Sequence, residues 1–424
     1  MSKITEIKSA RAGDMYYKIE HDSGLTIYLY PKSDYNSKYA IFGTRFGSVN
    51  NAFSLDGGEV KKVPDGIAHY LEHKMFECED GDAFAKYAKT GANANAYTSF
   101  NKTCYLFSCT ENFDESFDIL LDFVQRPYFT EETVAKEQGI IGQEIRMYDD
   151  SAEWVVMFNM LKGMYKNHPV QLDIAGTVES IAEITPELLY DCYYTFYNLN
   201  NMVLCVSGDL SCDDILKIAD KKLNKCEKHD IKSYFEDEPY EIQKSYIEQK
   251  FPVSVPLFNL GYKEKSHKVT QKETAEIDII MTLLTSPSFE LYNKLDEEKL
   301  INQSFDAEYF DGQGYNSVIF SGESRSPKKA AEVIKSYIES LKNNGVDKDD
   351  FEIAKREVYG DLLSSLNNVE AIANALVDAH FNDTDMFGYI DDVAECKIED
   401  INERLLTMFD KDNSTLSVIL PDKE

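Results

Sequence analysis

The 424-residue chain reads as an α+β protein of two homologous domains, each a mostly antiparallel sheet with helices packed on one face. Three observations predict this. Short alternating runs of strand character open each half and give way to longer helical periods. Each half also ends alike, a long helical region leading into a strand: NNMVLCV from Asn200 and DNSTLSV from Asp412, with Leu204 matching Leu416 and Val206 matching Val418. Between the halves, residues 224–245 are polar, charged and weakly periodic, as a linker is. The expected organisation is a first domain over 1–223, a linker over 224–245 and a second domain over 246–424.

The elements follow in order. Met15–Glu20 and Leu25–Tyr30 flank the turn signal at Asp22 to Gly24 and form a hairpin. Tyr39–Phe46 is a further strand, and from Asp65 to about Cys78 the period becomes helical. Alternation returns over Asn93–Ser99 and Thr103–Thr110. Helices are expected over Phe113–Gln125, over Glu131–Met147 with Thr130 as N-cap, over Pro186–Tyr197 and over Asp213–Leu223; the strand Asn201–Ser207 precedes the last. The second half brings strands Tyr246–Phe251 and Leu257–Tyr262, then helices Thr274–Thr285 and Phe289–Leu300. Strands Ile301–Tyr309 and Tyr315–Ser321 follow, joined by a turn at Gly312 and Gly314, then three or four helices and a strand Thr415–Leu420.

Charge limits the partners. Asp and Glu number 75 against 44 Lys and Arg, a net charge of −31, and such a surface repels nucleic acid and anionic membranes. An apolar fraction of 43% is enough for large cores and excludes global disorder. The N-terminal residues lack the apolar stretch of a secretory signal, and no run reaches transmembrane length. The eight cysteines contain no CxxC pair, and several sit in apolar strand-like runs. They read as buried small hydrophobes in a reducing, cytoplasmic compartment.

Chemistry concentrates around two of the seven histidines, in His69-Tyr-Leu-Glu72-His73. On a helix, positions i, i+3 and i+4 share a face, so both imidazoles and the carboxylate project together. Two neutral imidazoles at that spacing can chelate Zn2+, and a carboxylate beside them can take a proton from water. This is the His-x-x-Glu-His order, the mirror of His-Glu-x-x-His. With so few histidines it arises by chance on the order of once in a hundred such chains. A tetrahedral site needs a third protein ligand. Glu137 and Glu144, seven apart on the helix Glu131–Met147, share a face; one could bind metal while the other holds a ligand or shapes the field. His168 reads as a structural histidine at a turn.

From about Asp65 to Asp209 the chain resembles the catalytic half of the pitrilysin, insulinase and mitochondrial processing peptidase family, with His-x-x-Glu-His followed some seventy residues later by two glutamates seven apart. The resemblance implies a zinc metalloendopeptidase in which His69, His73 and Glu144 hold one Zn2+ per chain, Glu72 is the general base and Glu137 orders the site. The segment GANANAYTSF is similar to the family's substrate-binding edge strand, to which a peptide adds as a further strand. This implies substrate contacts for Asn95 and Ala96, while Thr103 and Tyr105 read as packing. It also argues for a peptide rather than another hydrolysable substrate.

The second half departs from the pattern. The family carries there an Arg and, seven residues on, a Tyr that reach the developing oxyanion; in LYNKLDEEKLINQSF those places hold Asp296 and Gln303. Tyr309 and Arg325 are nearby alternatives. The expected protein is therefore a homo- or heterodimer, most simply the zinc subunit of a pair whose paralogous partner supplies the Arg and Tyr. The contrasting expectation is a non-catalytic peptide-binding or assembly subunit; against it, all three ligands and the base are present.

Overall fold

The computed structural model describes residues 2–422. They form two compact units. The first contains everything up to Ile145 together with Asp173–Tyr234 and Leu363–Phe387; the second contains Arg146–Leu172, Phe235–Leu362 and the chain from Gly388 onward. Each unit thus takes a helix from the other half of the chain.

The first unit is built on a seven-stranded sheet, in spatial order Lys3–Ser9, Asp14–Glu20, Thr26–Pro31, Met202–Gly208, Lys38–Thr44, Thr103–Cys109 and Asn93–Thr98. All neighbours are antiparallel except Met202–Gly208 against Thr26–Pro31. The expected hairpin, the helices Phe113–Phe123, Glu131–Asp149 and Pro186–Phe196, and the Thr130 cap (Thr133 N–H to Thr130 Oγ1, 3.2 Å) are all present. Residues 231–233, inside the polar connection, form a strand against Ala52–Leu55.

Strand alternation divides the sheet into two faces. Thr103, Tyr105 and Phe107 point to a helical layer, where Tyr105 meets Phe76 and Phe123. Cys104 points the other way, toward Phe381 of the helix Val369–Phe381. Gly43 makes that approach possible, because a Cβ there would lie 3.0 Å from Cys104 Sγ and 3.2 Å from the Phe381 ring.

The second unit repeats the plan with five strands, in order Tyr246–Phe251, Ser414–Pro421, Leu257–Lys263, Tyr315–Glu323 and Asp306–Gly312. The two repeat segments occupy equivalent places. Each forms a central strand, parallel to one neighbour and antiparallel to the other, with Leu204 opposite Phe42 and Leu416 opposite Leu260. One apolar core joins this sheet to the helices Gln271–Thr285, Pro327–Asn344 and Ile398–Met408. The opposite face receives the helix Ala152–Met164, with Gly261 seated against Met160 and Met164. The strand expected over Ile301–Tyr309 begins five residues later, at Asp306, because Ile301 and Phe305 fill the core from a turn rather than from a ladder.

Buried polar groups fasten this unit. Lys263 Nζ donates to Glu238 Oε1 (2.6 Å), Pro239 O (2.7 Å) and Met164 O (2.9 Å), while Glu238 Oε2 accepts the amides of Asn167 (2.7 Å) and His168 (2.8 Å). Opening such a buried pair by removing one partner costs about 3–5 kcal/mol. His168 is structural: its Nδ1 accepts the Val170 amide and its Nε2 donates to Gln313 O (3.0 Å), which pins the Gly312–Tyr315 hairpin.

That bonding pattern needs a neutral imidazole, and burial pulls His168 down to about 4 from 6.5. His380 is likewise pulled down to about 4, by burial and then by Arg45 and Lys18. Between these values the unfolded chain binds protons that the folded chain refuses. Stability from these groups is therefore complete above about pH 6.5 and is lost as pH falls toward 4. Urea titrations across this window should show a positive slope of stability with pH that flattens in His168→Gln. An unchanged slope would contradict the assignment.

Candidate metal centre

The site begins with a short helix, Ile67–Met75, that has no side-chain cap. Its first turn is set by Gly66, at φ +88°, where a Cβ would fall 2.3 Å from Ala175 O. Only glycine combines that backbone conformation with that approach. Every residue of the helix except His73 is buried. Such a helix can carry charge only if each charged group is paired or neutralised. Lys74 is paired with Glu77, and the Tyr70 hydroxyl donates to Val134 O (2.5 Å), tying this helix to Glu131–Asp149.

His73 lies between the two glutamates of that longer helix. Its Nδ1 is 3.0 Å from Glu137 Oε1 and its Nε2 is 3.3 Å from Glu144 Oε2. The seven-residue spacing thus spans one imidazole, with a carboxylate at each nitrogen. Burial opposes a charge on His73, but the hydrogen bonds to Glu137 and Glu144 outweigh it and push the group up to about 10. Glu137 is held below its ordinary value by the same bond to His73.

His69 is 3.7 Å from Glu144 through Nε2, and its ring meets that of His73 at 4.7 Å between centroids. Burial, then the neighbouring His73, pulls His69 down to about 4, which favours the neutral imidazole; among the described residues its buried Nδ1 has no hydrogen-bond partner. One donor atom each from His69, His73 and Glu144 lies within 4.8 Å of the others, and no second such cluster occurs among the described residues. Two imidazoles and one carboxylate are a catalytic zinc donor set, one ligand short of four-coordinate. The group fits: a cation there would relieve the two carboxylates that crowd His73, and Glu137 already fixes the outer nitrogen of that ring.

Glu72, on the same helix, is buried, and burial raises it above its ordinary value. Its Oε2 accepts a hydrogen bond from Thr98 Oγ1 (2.6 Å) on the strand Asn93–Thr98. That strand ends the sheet and, among the described residues, pairs only with Thr103–Cys109. The Ser99 amide bonds Lys102 O across the hairpin, so by the alternation of antiparallel pairs the amides of Ala96 and Thr98 face the free edge. There the Ala96 amide is covered by Asn95 Oδ1 (2.9 Å). Thr103 and Tyr105 are fully buried, bonded to Phe46 O and the Tyr197 hydroxyl respectively.

The structure therefore gathers His69, Glu72, His73, Glu137 and Glu144 and lays Asn95 and Ala96 on an open sheet edge. Thr98 escaped the sequence reading, because nothing in its local spacing ties it to a helix 26 residues earlier. In the second unit, Asp296 and Gln303 are exposed, as is Arg325. The Tyr309 hydroxyl is committed to Glu264 Oε2 (2.5 Å) within a network that includes Arg404.

Comparison with known proteins gives the family. Residues 50–178 match the model of the insulinase family (peptidase family M16), and residues 183–358 match that of the peptidase M16 inactive domain. The uncharacterised zinc protease YmfH of Bacillus subtilis is 37% identical over 426 residues, covering 99% of each chain. The beta subunit of the mitochondrial-processing peptidase of Caenorhabditis elegans is 30% identical over 176 residues, 40% of this chain and 38% of its own. Among solved structures, an M16-like peptidase from Alicyclobacillus acidocaldarius superposes with a TM-score of 0.91 at 33% identity, over 99% of each chain. With a relative this similar along its full length, and both of its halves matched by M16 models, the chain belongs to the M16 family of zinc-protease-like proteins, related to pitrilysin, insulinase and the mitochondrial processing peptidases.

Proposed function

We propose that the protein is a zinc-dependent endopeptidase that cleaves peptides or unfolded segments, with His69, His73 and Glu144 as ligands of a single zinc ion and Glu72 as general base. The observation that carries this reading is the convergence of two imidazoles and one carboxylate beside a buried carboxylate, next to an open sheet edge. We assign the metal chemistry to residues 1–223 and the homologous, metal-free half to residues 246–424. When bound, zinc supplies Lewis acidity toward the scissile carbonyl and makes water acidic enough to attack near neutral pH.

The chain's own residues do the rest. Main-chain groups of the edge strand at Ala96 and Thr98 hold the peptide as an added strand, which ties affinity to backbone rather than to side-chain identity. Asn95 releases the Ala96 amide as the peptide arrives. Glu72 accepts the proton of the attacking water and returns a proton to the leaving amine. Glu137, bonded to Nδ1 of His73, keeps Nε2 of that ring directed at the metal. No side chain forms a covalent intermediate.

The oxyanion lacks help from this chain. Asp296 and Gln303 cannot replace an Arg and a Tyr, and Tyr309 already donates its hydroxyl to Glu264. We infer that the protein works as a dimer, as the zinc subunit beside a paralogous subunit bringing those two groups; the relative named as a beta subunit supports such pairing. Eight unpaired thiols support a reducing, cytoplasmic location, and among the described residues no helix is long and apolar enough to cross a membrane.

Purified protein should carry about one zinc per chain by elemental analysis, falling at least tenfold in His73→Ala. Undiminished zinc in that variant would place the metal elsewhere. With an internally quenched peptide library, the chain with its paralogous partner should turn over, while Glu72→Gln retains zinc and loses hydrolysis by roughly a thousandfold or more. Hydrolysis preserved in Glu72→Gln would remove Glu72 from the mechanism. Zinc-loaded protein that cleaves no peptide, alone or paired, would favour a peptide-binding subunit instead.

A further inference from the structure

The geometry points to Thr98 as a positioning residue that fixes the Glu72 carboxylate from the strand that receives the substrate; this rests on the reading of Glu72 as the base. Three observations carry it. First, the Thr98 hydroxyl donates to Glu72 Oε2 at 2.6 Å and is the hydrogen bond found to that carboxylate among the described residues. Second, Thr98 packs against a neighbour that is itself fixed. Its Oγ1 lies 3.2 Å from Thr103 Oγ1, and the fully buried Thr103 hydroxyl donates to Phe46 O at 2.8 Å. Third, the same residue turns its main-chain amide to the open edge, where a peptide strand would pair.

A β-branched side chain in a strand has few χ1 choices, so the Thr98 hydroxyl is held by its backbone. A carboxylate on a helix, by contrast, rotates about its last torsion unless something stops it. With Oε2 already accepting from Thr98, Oε1 is the more basic oxygen and the one that takes the proton. The base thus takes its orientation from the element that also aligns the scissile bond, and the two are set by one residue. Hydroxyl loss at Thr98 should leave the helix, the metal ligands and the edge intact, because Thr103 and Phe46 keep their own bond.

The variants Thr98→Val and Thr98→Ser separate positioning from packing. Valine keeps the shape without the donor, and serine keeps the donor. Expected for Thr98→Val is a fall in kcat of roughly 10- to 100-fold with KM within about twofold, and unchanged zinc content and Tm. Thr98→Ser should recover most of kcat. A direct binding measurement in the Glu72→Gln background should give the same peptide Kd with and without Thr98→Val. Wild-type kcat in Thr98→Val would overturn the inference while leaving Glu72 as the base. Peptide Kd weakening in step with kcat/KM would overturn it by making Thr98 a binding element. If Glu72→Gln itself hydrolyses like the wild type, the underlying reading fails first and the inference falls with it.

Discussion

His73 held between two carboxylates is the constraint on which the rest of the site depends. One imidazole faces Glu137 at one nitrogen and Glu144 at the other, with the carboxylates as acceptors, and both come from a single helix at a spacing of two turns. For this to happen the two helices must lie side by side, with little freedom to slide or rotate. The Tyr70 bond to Val134 O and the glycine-only contact of Gly66 with Ala175 supply that fixity. Without a cation, the arrangement confines negative charge around a half-buried ring, and this pushes His73 up to about 10. Proteins tolerate such local frustration mainly where function requires it. A divalent ion held by His69, His73 and Glu144 would relieve it by taking the place of the proton.

Around this centre the fold separates duties. The buried His69–Glu72–His73 helix presents its chemistry to the end of a sheet, and the end strand stays unpaired on its outer side. Edge strands invite aggregation, so a protein that keeps one open has reason to guard it. Here Asn95 folds its carbonyl over the Ala96 amide, satisfying the edge until another strand competes for it. The back of that strand is braced as well: Tyr97 bonds Asn374 at 3.3 Å, and Lys102 at the turn pairs with Asp378, both from the helix Val369–Phe381. The edge strand is therefore held between the site helix in front and a helix from the far end of the chain behind.

Much of this was legible in the sequence, and the reason is locality. His69, Glu72 and His73 share a helical face, so spacing assembles that group; Glu137 and Glu144 share one on a longer helix, but in so acidic a chain it is the family resemblance that singles out that pair. The central strands at Leu204 and Leu416 were visible through their repeated pattern. What escaped depends on long-range packing. The helices Ala152–Met164 and Val369–Phe381 each cover the second face of a sheet built from the other half of the chain, and no local signal says which sheet an apolar helix will choose. Apolar Ile301 and Phe305 mimic a strand while packing from a turn. Thr98 reads as an ordinary strand residue until the strand is set against Glu72.

The central claim is a single metal site made by three named side chains. Anomalous scattering collected on either side of the zinc absorption edge, from crystals of the purified protein, tests it most directly. One strong peak per chain is expected, bounded by Nε2 of His69, Nε2 of His73 and a carboxylate oxygen of Glu144, with Glu72 beside it but not bonded to it. A peak elsewhere, or one that counts Glu137 rather than Glu144 among its ligands, would contradict it.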